Sequence, residues 1–235
     1  DGRVNDLGFD IDTFGVAVEL VSETVIGRLT YGADYYHDEV DSDRVDFSAA
    51  GVPTVRVQGP VGDDATYDLL GVFIQDEIEL GDNVDLVLGA RLTYAAADAN
   101  KVQDPLSSGS ISVDDDWFSA VGSARIIWNA TDEINVYAGV SQAFRAPNLS
   151  DISRLDSARS GEVEIASPGL DPEDFINFEI GTKVDCENFT STFAYHYTII
   201  DDLIVRQPTG ATIDGESVVI KRNAGDGHMQ GIDLS

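Results

Sequence analysis

The side-chain pattern predicts an all-β chain: an antiparallel segment of a transmembrane β-barrel, about nine long strands of a larger barrel. Three observations lead there. The dominant period is two. The alternating runs are long. The connections between them alternate strictly between short turns and long polar loops.

The elements follow in order. Residues 10–21 form a first strand, where Phe14, Val16, Val18 and Leu20 interleave with Gly15, Ala17 and Glu19. Ser22-Glu23-Thr24 turns the chain into a second strand, 25–37. There Val25, Gly27, Leu29, Tyr31, Ala33 and Tyr35 form one face, and Ile26, Arg28, Thr30, Gly32 and Asp34 the other. A long polar loop, 38–66, leads to strand 67–80, and Gly81-Asp82-Asn83 turns it into strand 84–97. In that strand Leu86, Leu88, Ala90, Leu92 and Tyr94 interleave with Val87, Gly89, Arg91 and Thr93. The next loop is 98–115, followed by strands 116–128 and 134–146 around the turn Asn129–Glu133. Loop 147–174 precedes strand 174–186, in which Ile176, Phe178, Ile180 and Thr182 alternate with polar or small residues. Cys186-Glu187-Asn188 turns into strand 189–206, with Phe193, Tyr195, Tyr197 and Ile199 on one face. A last loop, 207–216, leads to strand 217–235.

Strands of soluble domains average about five or six residues, whereas membrane-spanning strands need about nine to eleven. Unstructured loops beyond about 12 residues are uncommon in compact soluble domains. Short turns on one side and long loops on the other suit a barrel with periplasmic turns and extracellular loops. The face opposite the apolar one carries Glu19, Arg28, Asp34, Arg91, Arg125, Glu179, Lys183 and His196, which a wide barrel would turn to its lumen. Leu29, Leu88, Val136 and Phe178 are then expected to meet lipid. Tyr35, Tyr94, Phe118, Trp128 and Phe144, near strand ends, fit interfacial girdles. Asp76 falls on the apolar face and is expected near a membrane edge. No run of about 18 apolar residues offers a transmembrane helix. A soluble β-sandwich would also put the charged face in water, so composition alone leaves that rival open.

Charge narrows the partners. The chain has 235 residues, with 14 Lys plus Arg against 43 Asp plus Glu, a formal net charge of −29. Such a surface repels phosphate backbones, so nucleic acid is excluded as a partner. Cys186 is the only cysteine and rules out an intrachain disulfide. The chain starts at Asp1 without a signal peptide and stops within the alternating run Met229–Ser235, so it reads as a fragment.

Five stretches carry a family resemblance. Phe144-Arg145-Ala146-Pro147 at the top of a strand resembles the "FRAP" box of TonB-dependent outer-membrane receptors. Ser167-Pro168-Gly169-Leu170-Asp171-Pro172-Glu173 resembles their "NPNLKPE" box, with Ser167 and Gly169 where asparagines are usual. Asn177–Lys183 is similar to their "nyElGlK" strand, Val72–Tyr94 to a "YxQxExxL…GxRxxY" hairpin, and Asn223–Leu234 to "NxGxAxxxGvEl". Each is weak alone; together, in the family's order and spacing, they are specific. The resemblance implies that residues 1–235 are the central part of the barrel, with plug domain and closing strands absent. It also implies a bacterial outer-membrane location and TonB-energised uptake of a scarce nutrient, an iron chelate (siderophore) first among candidates. The implied partners are a small-molecule ligand, outer-membrane lipid, and the TonB system through the plug. The alternative is a non-transporting surface β-protein, an adhesin or soluble sandwich.

The remaining signals carry no enzyme, cofactor or metal site. Asp41, Asp43 and Asp46 lack the spacing and glycine of a calcium loop. Gly225–Gly231 has the wrong glycine spacing for a dinucleotide loop. His37, His196 and His228 show no ligand spacing. Three arginines at the end of strand 134–146 and in loop 147–174 are the candidates for ligand binding. Arg145, Arg154 and Arg159 could clamp carboxylates or phosphates. Local pairing with Asp151, Asp156, Glu162 and Glu164 competes and is slightly preferred. Haem receptors of the family usually carry a histidine between the two boxes, but residues 148–166 hold no His, Tyr or Cys. A pre-chelated metal, or another small carboxylate-bearing ligand, is therefore expected over haem, with His37 at a loop rim as the residue that would restore the haem reading.

Overall fold

The computed structural model describes residues 4–104, 109–159, 161–213 and 215–235, with side chains for all of these except 156–159. In chain order the elements are β1 (Val4–Glu23), β2 (Gly27–Phe47), β3 (Pro53–Val55), β4 (Asp63–Glu79), β5 (Val84–Gln103), β6 (Ser110–Asn129) and β7 (Ile134–Arg145). Then come α1 (Leu149–Ile152), β8 (Asp156–Arg159), β9 (Glu162–Glu164), β10 (Glu173–Cys186), β11 (Phe189–Ile213) and β12 (Glu216–Leu234). The nine long strands pair antiparallel in the order β1-β2-β4-β5-β6-β7-β10-β11-β12, the expected curved wall. The short strands are accessories: β3 adds to β2, and β9 adds parallel to β12, followed by β8.

Three of the four expected loops are mostly strand. β2 runs on to Phe47 and β4 starts at Asp63; β5 reaches Gln103 and β6 starts at Ser110; β11 and β12 are paired to Ile213 and Glu216. The reason is physical. A period of two is visible in sequence only where one face meets an apolar medium. Beyond that medium the outward face turns polar and the inward face packs on the folded-in excursion, largely through small residues such as Ala95, Ala97 and Ala99, so the ladder continues while the apolar alternation becomes faint. Only 146–172 is a true excursion, and it carries α1, β8 and β9.

The register shows where the apolar medium stops. Tyr35, Leu70, Tyr94 and Phe118 are consecutive cross-strand partners, one aromatic rung on the outward face. The next outward rung is His37, Asp68, Ala96 and Asp116, and the one beyond is Asp12, Glu39, Thr66, Asp98 and Asp114. Below the aromatic rung the outward face is apolar and exposed: Val18, Val72, Ile74, Leu88, Leu92, Ile126, Phe178, Ile180 and Ile232. An apolar exposed face of this breadth belongs in lipid. Asp76 interrupts it between Ile74 and Ile78, in register with Leu29 and Leu88. It lies four residues before Leu80, which at strand rise and tilt is about 9 Å along the barrel axis from the short turn.

The inward face is polar and cross-linked. Arg91 holds Asp34 through two bonds of 2.8 and 2.7 Å and lies 5.9 Å over the Phe73 ring. Gly71 makes room for this fork, since a Cβ there would come within 1.9 Å of Arg91 Nη2. Farther down, Arg125 lies 3.6 Å from Glu179 and 5.5 Å over the Tyr137 ring. The apolar core sits at the extracellular end of this inward face. Val40, Ala65, Ala95, Ala97, Ala99, Val102, Val113 and Trp117 from the wall close on Leu149, Ile152 and Leu170 from the folded-in excursion.

Candidate ligand-facing site

The site forms where the excursion leaves and rejoins the wall. β7 ends at Arg145 because Pro147 has no amide to extend the ladder. Arg145 is the register partner of Glu173, the first residue of β10, so the two family boxes form one rung. The Arg145 guanidinium donates to Glu173 at 2.6 Å and to Asp151 at 2.6 Å. Asp151 is presented by α1, whose start is closed reciprocally. The Asn148 side chain accepts the Asp151 amide at 3.0 Å, and the Asp151 carboxylate accepts the Asn148 amide at 3.2 Å.

β11 and β12 supply the rest. Asp202 takes a positive φ of 57° within a β-bulge, which an aspartate tolerates. Just beyond the bulge the Ile204 amide is bonded to Glu173 at 2.8 Å. Arg206 and Lys221 are direct cross-strand partners, two like charges that repel unless a carboxylate lies between them. That carboxylate is Glu164 of β9, fully buried, 2.7 Å from Arg206, 3.3 Å from Lys221 and 4.0 Å from Arg154. Lys221 also reaches Asp151 at 2.9 Å.

The result is a layered charge arrangement. Glu164, Glu173 and Asp151 are buried, whereas the side chains of Arg145, Arg206 and Arg154 remain 40%, 33% and 31% exposed. Among the described side chains, Arg145, Arg154, Arg206 and Lys221 thus gather around the carboxylates of Asp151, Glu164 and Glu173. Burial alone would raise the pKa of Asp151 and Glu173. At Asp151 the bonds from Arg145 and Lys221 outweigh it, and at Glu173 those from Arg145 and the Ile204 amide do, so both stay below the usual carboxylate range. Arg145 is held protonated more firmly than a free guanidinium, chiefly by Glu173.

The expected residues are therefore only partly brought together. Arg145 and Arg154 converge, and Asp151 and Glu164 do pair with them. Arg159 lies in β8 opposite Glu162, but its side chain, like that of Asp156, falls outside those described. His37 is elsewhere, on the outward face, bonded at 2.8 Å to Asp68, which also accepts from Tyr35 at 2.5 Å. The Asp68 carboxylate raises the His37 pKa against the opposing effect of burial. Lys221, Arg206 and Glu173 as site members were not singled out by sequence as a group. The signal that could have found them is the opposed Arg206–Lys221 pair in the last hairpin, which demands an acid. Pro168, Leu170 and Pro172 shape the return path; Leu170 is buried, and its carbonyl accepts the Trp117 indole N–H at 2.7 Å.

Residues 2–235 match the family model described as TonB dependent receptor-like, beta-barrel. The chain belongs to the TonB-dependent receptor family. Solved structures agree in fold with this receptor barrel. The Serratia marcescens hemophore receptor HasR, solved as a double mutant with its hemophore HasA and heme, aligns with a TM-score of 0.78 at 15% identity, over 97% of this chain and 39% of that one. The copper transporter OprC aligns at 0.73 and 17%, over 97% and 34%. The ferric yersiniabactin uptake receptor FyuA of Yersinia pestis aligns at 0.68 and 15%, over 100% and 33%. The receptor segment thus spans between a third and two fifths of those chains. No curated protein matches the receptor segment by sequence. Nothing in the fold or the family supports the rival adhesin or sandwich reading, and the exposed apolar face opposes a soluble one.

Proposed function

We propose that this segment is the ligand-facing arc of an outer-membrane receptor that takes up a pre-chelated metal, or another small carboxylate-bearing ligand, with energy from TonB. The observation that carries the proposal is the layered site. Its carboxylates are buried and its guanidinium groups are partly exposed, an arrangement that brings planar donor groups within reach of an incoming anion. A chelate whose metal is already saturated needs such recognition of its exterior and no protein ligand on the metal. Arg145, Arg154 and Arg206 are the proposed contacts, with Arg159 adjoining them along the chain. The 148–166 segment holds no imidazole, phenolate or thiolate for haem iron.

The test is binding to the intact protein in outer-membrane vesicles, with ferric citrate and haem as probes. Wild type is compared with Arg154→Ala and His37→Ala. Ferric citrate binding weakened about tenfold or more by Arg154→Ala and unchanged by His37→Ala is the expected result. Tight haem binding unaffected by Arg154→Ala, or ferric citrate binding equal in wild type and Arg154→Ala, overturns the proposal.

A further inference from the structure

The extracellular ends of the wall and the 147–172 excursion share more than contact. They share a core and a set of polar ties, buried around Ser153 and Trp117 and exposed around Asn223. Gln58, in the segment joining β3 to β4, is fully buried although it belongs to no strand. Its amide nitrogen donates to the Ser153 carbonyl at 2.9 Å, and its oxygen accepts the Gln103 amide at 2.6 Å. Ser153 is also fully buried; its hydroxyl accepts the Gly62 amide at 2.9 Å and donates to the Leu149 carbonyl at 2.6 Å. The two side chains therefore join the β3–β4 connection, the end of β5 and the turn after α1.

On the other flank, Trp117 of β6 donates to the Leu170 carbonyl, and Asp115 accepts the Gly169 amide at 2.9 Å. Asn223 of β12 accepts the Asp171 amide at 2.9 Å and donates to the Asp171 and Asp202 carbonyls at 2.8 Å. The Ser167 hydroxyl accepts the Lys221 amide at 2.8 Å. Each buried group that loses its partner is left desolvated, so no strand end can swing away without breaking ties to at least one neighbour.

We propose that the extracellular ends of β2, β4, β5, β6, β11 and β12, the Gln58 segment and residues 147–155 and 163–172 form one cooperative roof that opens as a unit or not at all. Elements that share buried apolar and polar contacts behave as single opening units, whereas independently moving lids have few of either.

The test is amide hydrogen exchange of the intact protein in outer-membrane vesicles, without ligand. Peptides covering Gly62, Gln103, Ser153 and Asp171 should exchange at a common rate. Gln58→Ala removes the tie on one flank and Trp117→Phe removes the indole bond on the other. Each should raise exchange about tenfold at all four positions, including those on the opposite flank. Trp117→Phe keeps the ring and guards against a variant that fails to fold. Acceleration confined to the substituted flank, or wild-type exchange at 147–155 differing by more than about a hundredfold from that at Gln103, overturns the proposal.

Discussion

Glu164 is the residue on which the site balances. It is fully buried between Arg206 and Lys221, and removing one partner of a buried ion pair leaves the others uncompensated. Glu164→Gln should loosen the excursion by about 3 kcal/mol. The readout is tryptic cleavage after Arg154 in the intact protein, faster by about a hundredfold, and partly restored when Arg206→Met removes one stranded cation. Acid should act through Asp151 and Glu173. Their folded pKa values lie below the unfolded ones, so their stabilisation is complete above about pH 5 and drains away as pH falls below about 4. Protease sensitivity of 147–172 should therefore rise on acidification and stay flat from pH 6 to 8; a rise on the alkaline side would refute the assignment. At this scale the sequence was half legible. Arg145 stood out because a charged residue closes an apolar strand before a proline. Glu164 did not, because a glutamate in a short polar stretch looks solvated until the opposed Arg206–Lys221 pair is seen.

The hairpins carry a different tension. Asp10 faces Asp41, Asp12 faces Glu39, and Asp98 faces Asp114 across their ladders, and like charges directly opposite destabilise a pair. Salt should hold these tips together. The Debye length grows from about 3 Å at 1 M to about 30 Å at 0.01 M, so dilution exposes each pair to its neighbours. Amide exchange across 98–103 and 110–116 should quicken as salt is lowered, and Asp98→Asn should blunt that response. Equal exchange at both salt concentrations would show that the acidic rungs are electrostatically idle. The same residues explain why the strand ends were misjudged. Membrane-level stretches announce themselves by alternation, as in Leu86–Tyr94, but Asp114-Asp115-Asp116 is acidic on both faces although Val113 and Trp117 beside it are buried, so there is no pattern to read.

For the whole molecule, the decisive property is that one face of the sheet is apolar and the other polar along nine paired strands. Leu88 lies on the outward face and Arg91 on the inward one. Leu88→Lys should cost less than the about 2–4 kcal/mol of an unpaired mid-membrane lysine, because its register partner Asp76 supplies a counter-charge on the same face. Cysteine placed at 88 should resist a water-borne thiol reagent that labels position 91, and equal labelling would reverse the facing. This architecture was legible early, since strand length and facing follow from local pattern alone. The roof was not. Its ties, such as Gln58 to Ser153, join residues far apart in sequence that share no period, and only the closed register of the wall brings them together.

One rung has a further consequence, for how such a protein can change. Arg145 and Glu173 stand directly opposite each other, so the excursion leaves the sheet and returns to it at neighbouring positions. The ladder below is continuous from Phe144–Asp174 down to Ile134–Val184 whatever lies above. The sockets at the membrane boundary are thus fixed, while the segment above them is held by its ties to Gln58 and Trp117. Its sequence can drift where those ties and the shared core are kept, while the lipid-facing wall stays under a separate constraint. An engineer could use the same seam to graft a foreign peptide by also rebuilding the strand-end residues that pack on the excursion, such as Ala97 and Trp117.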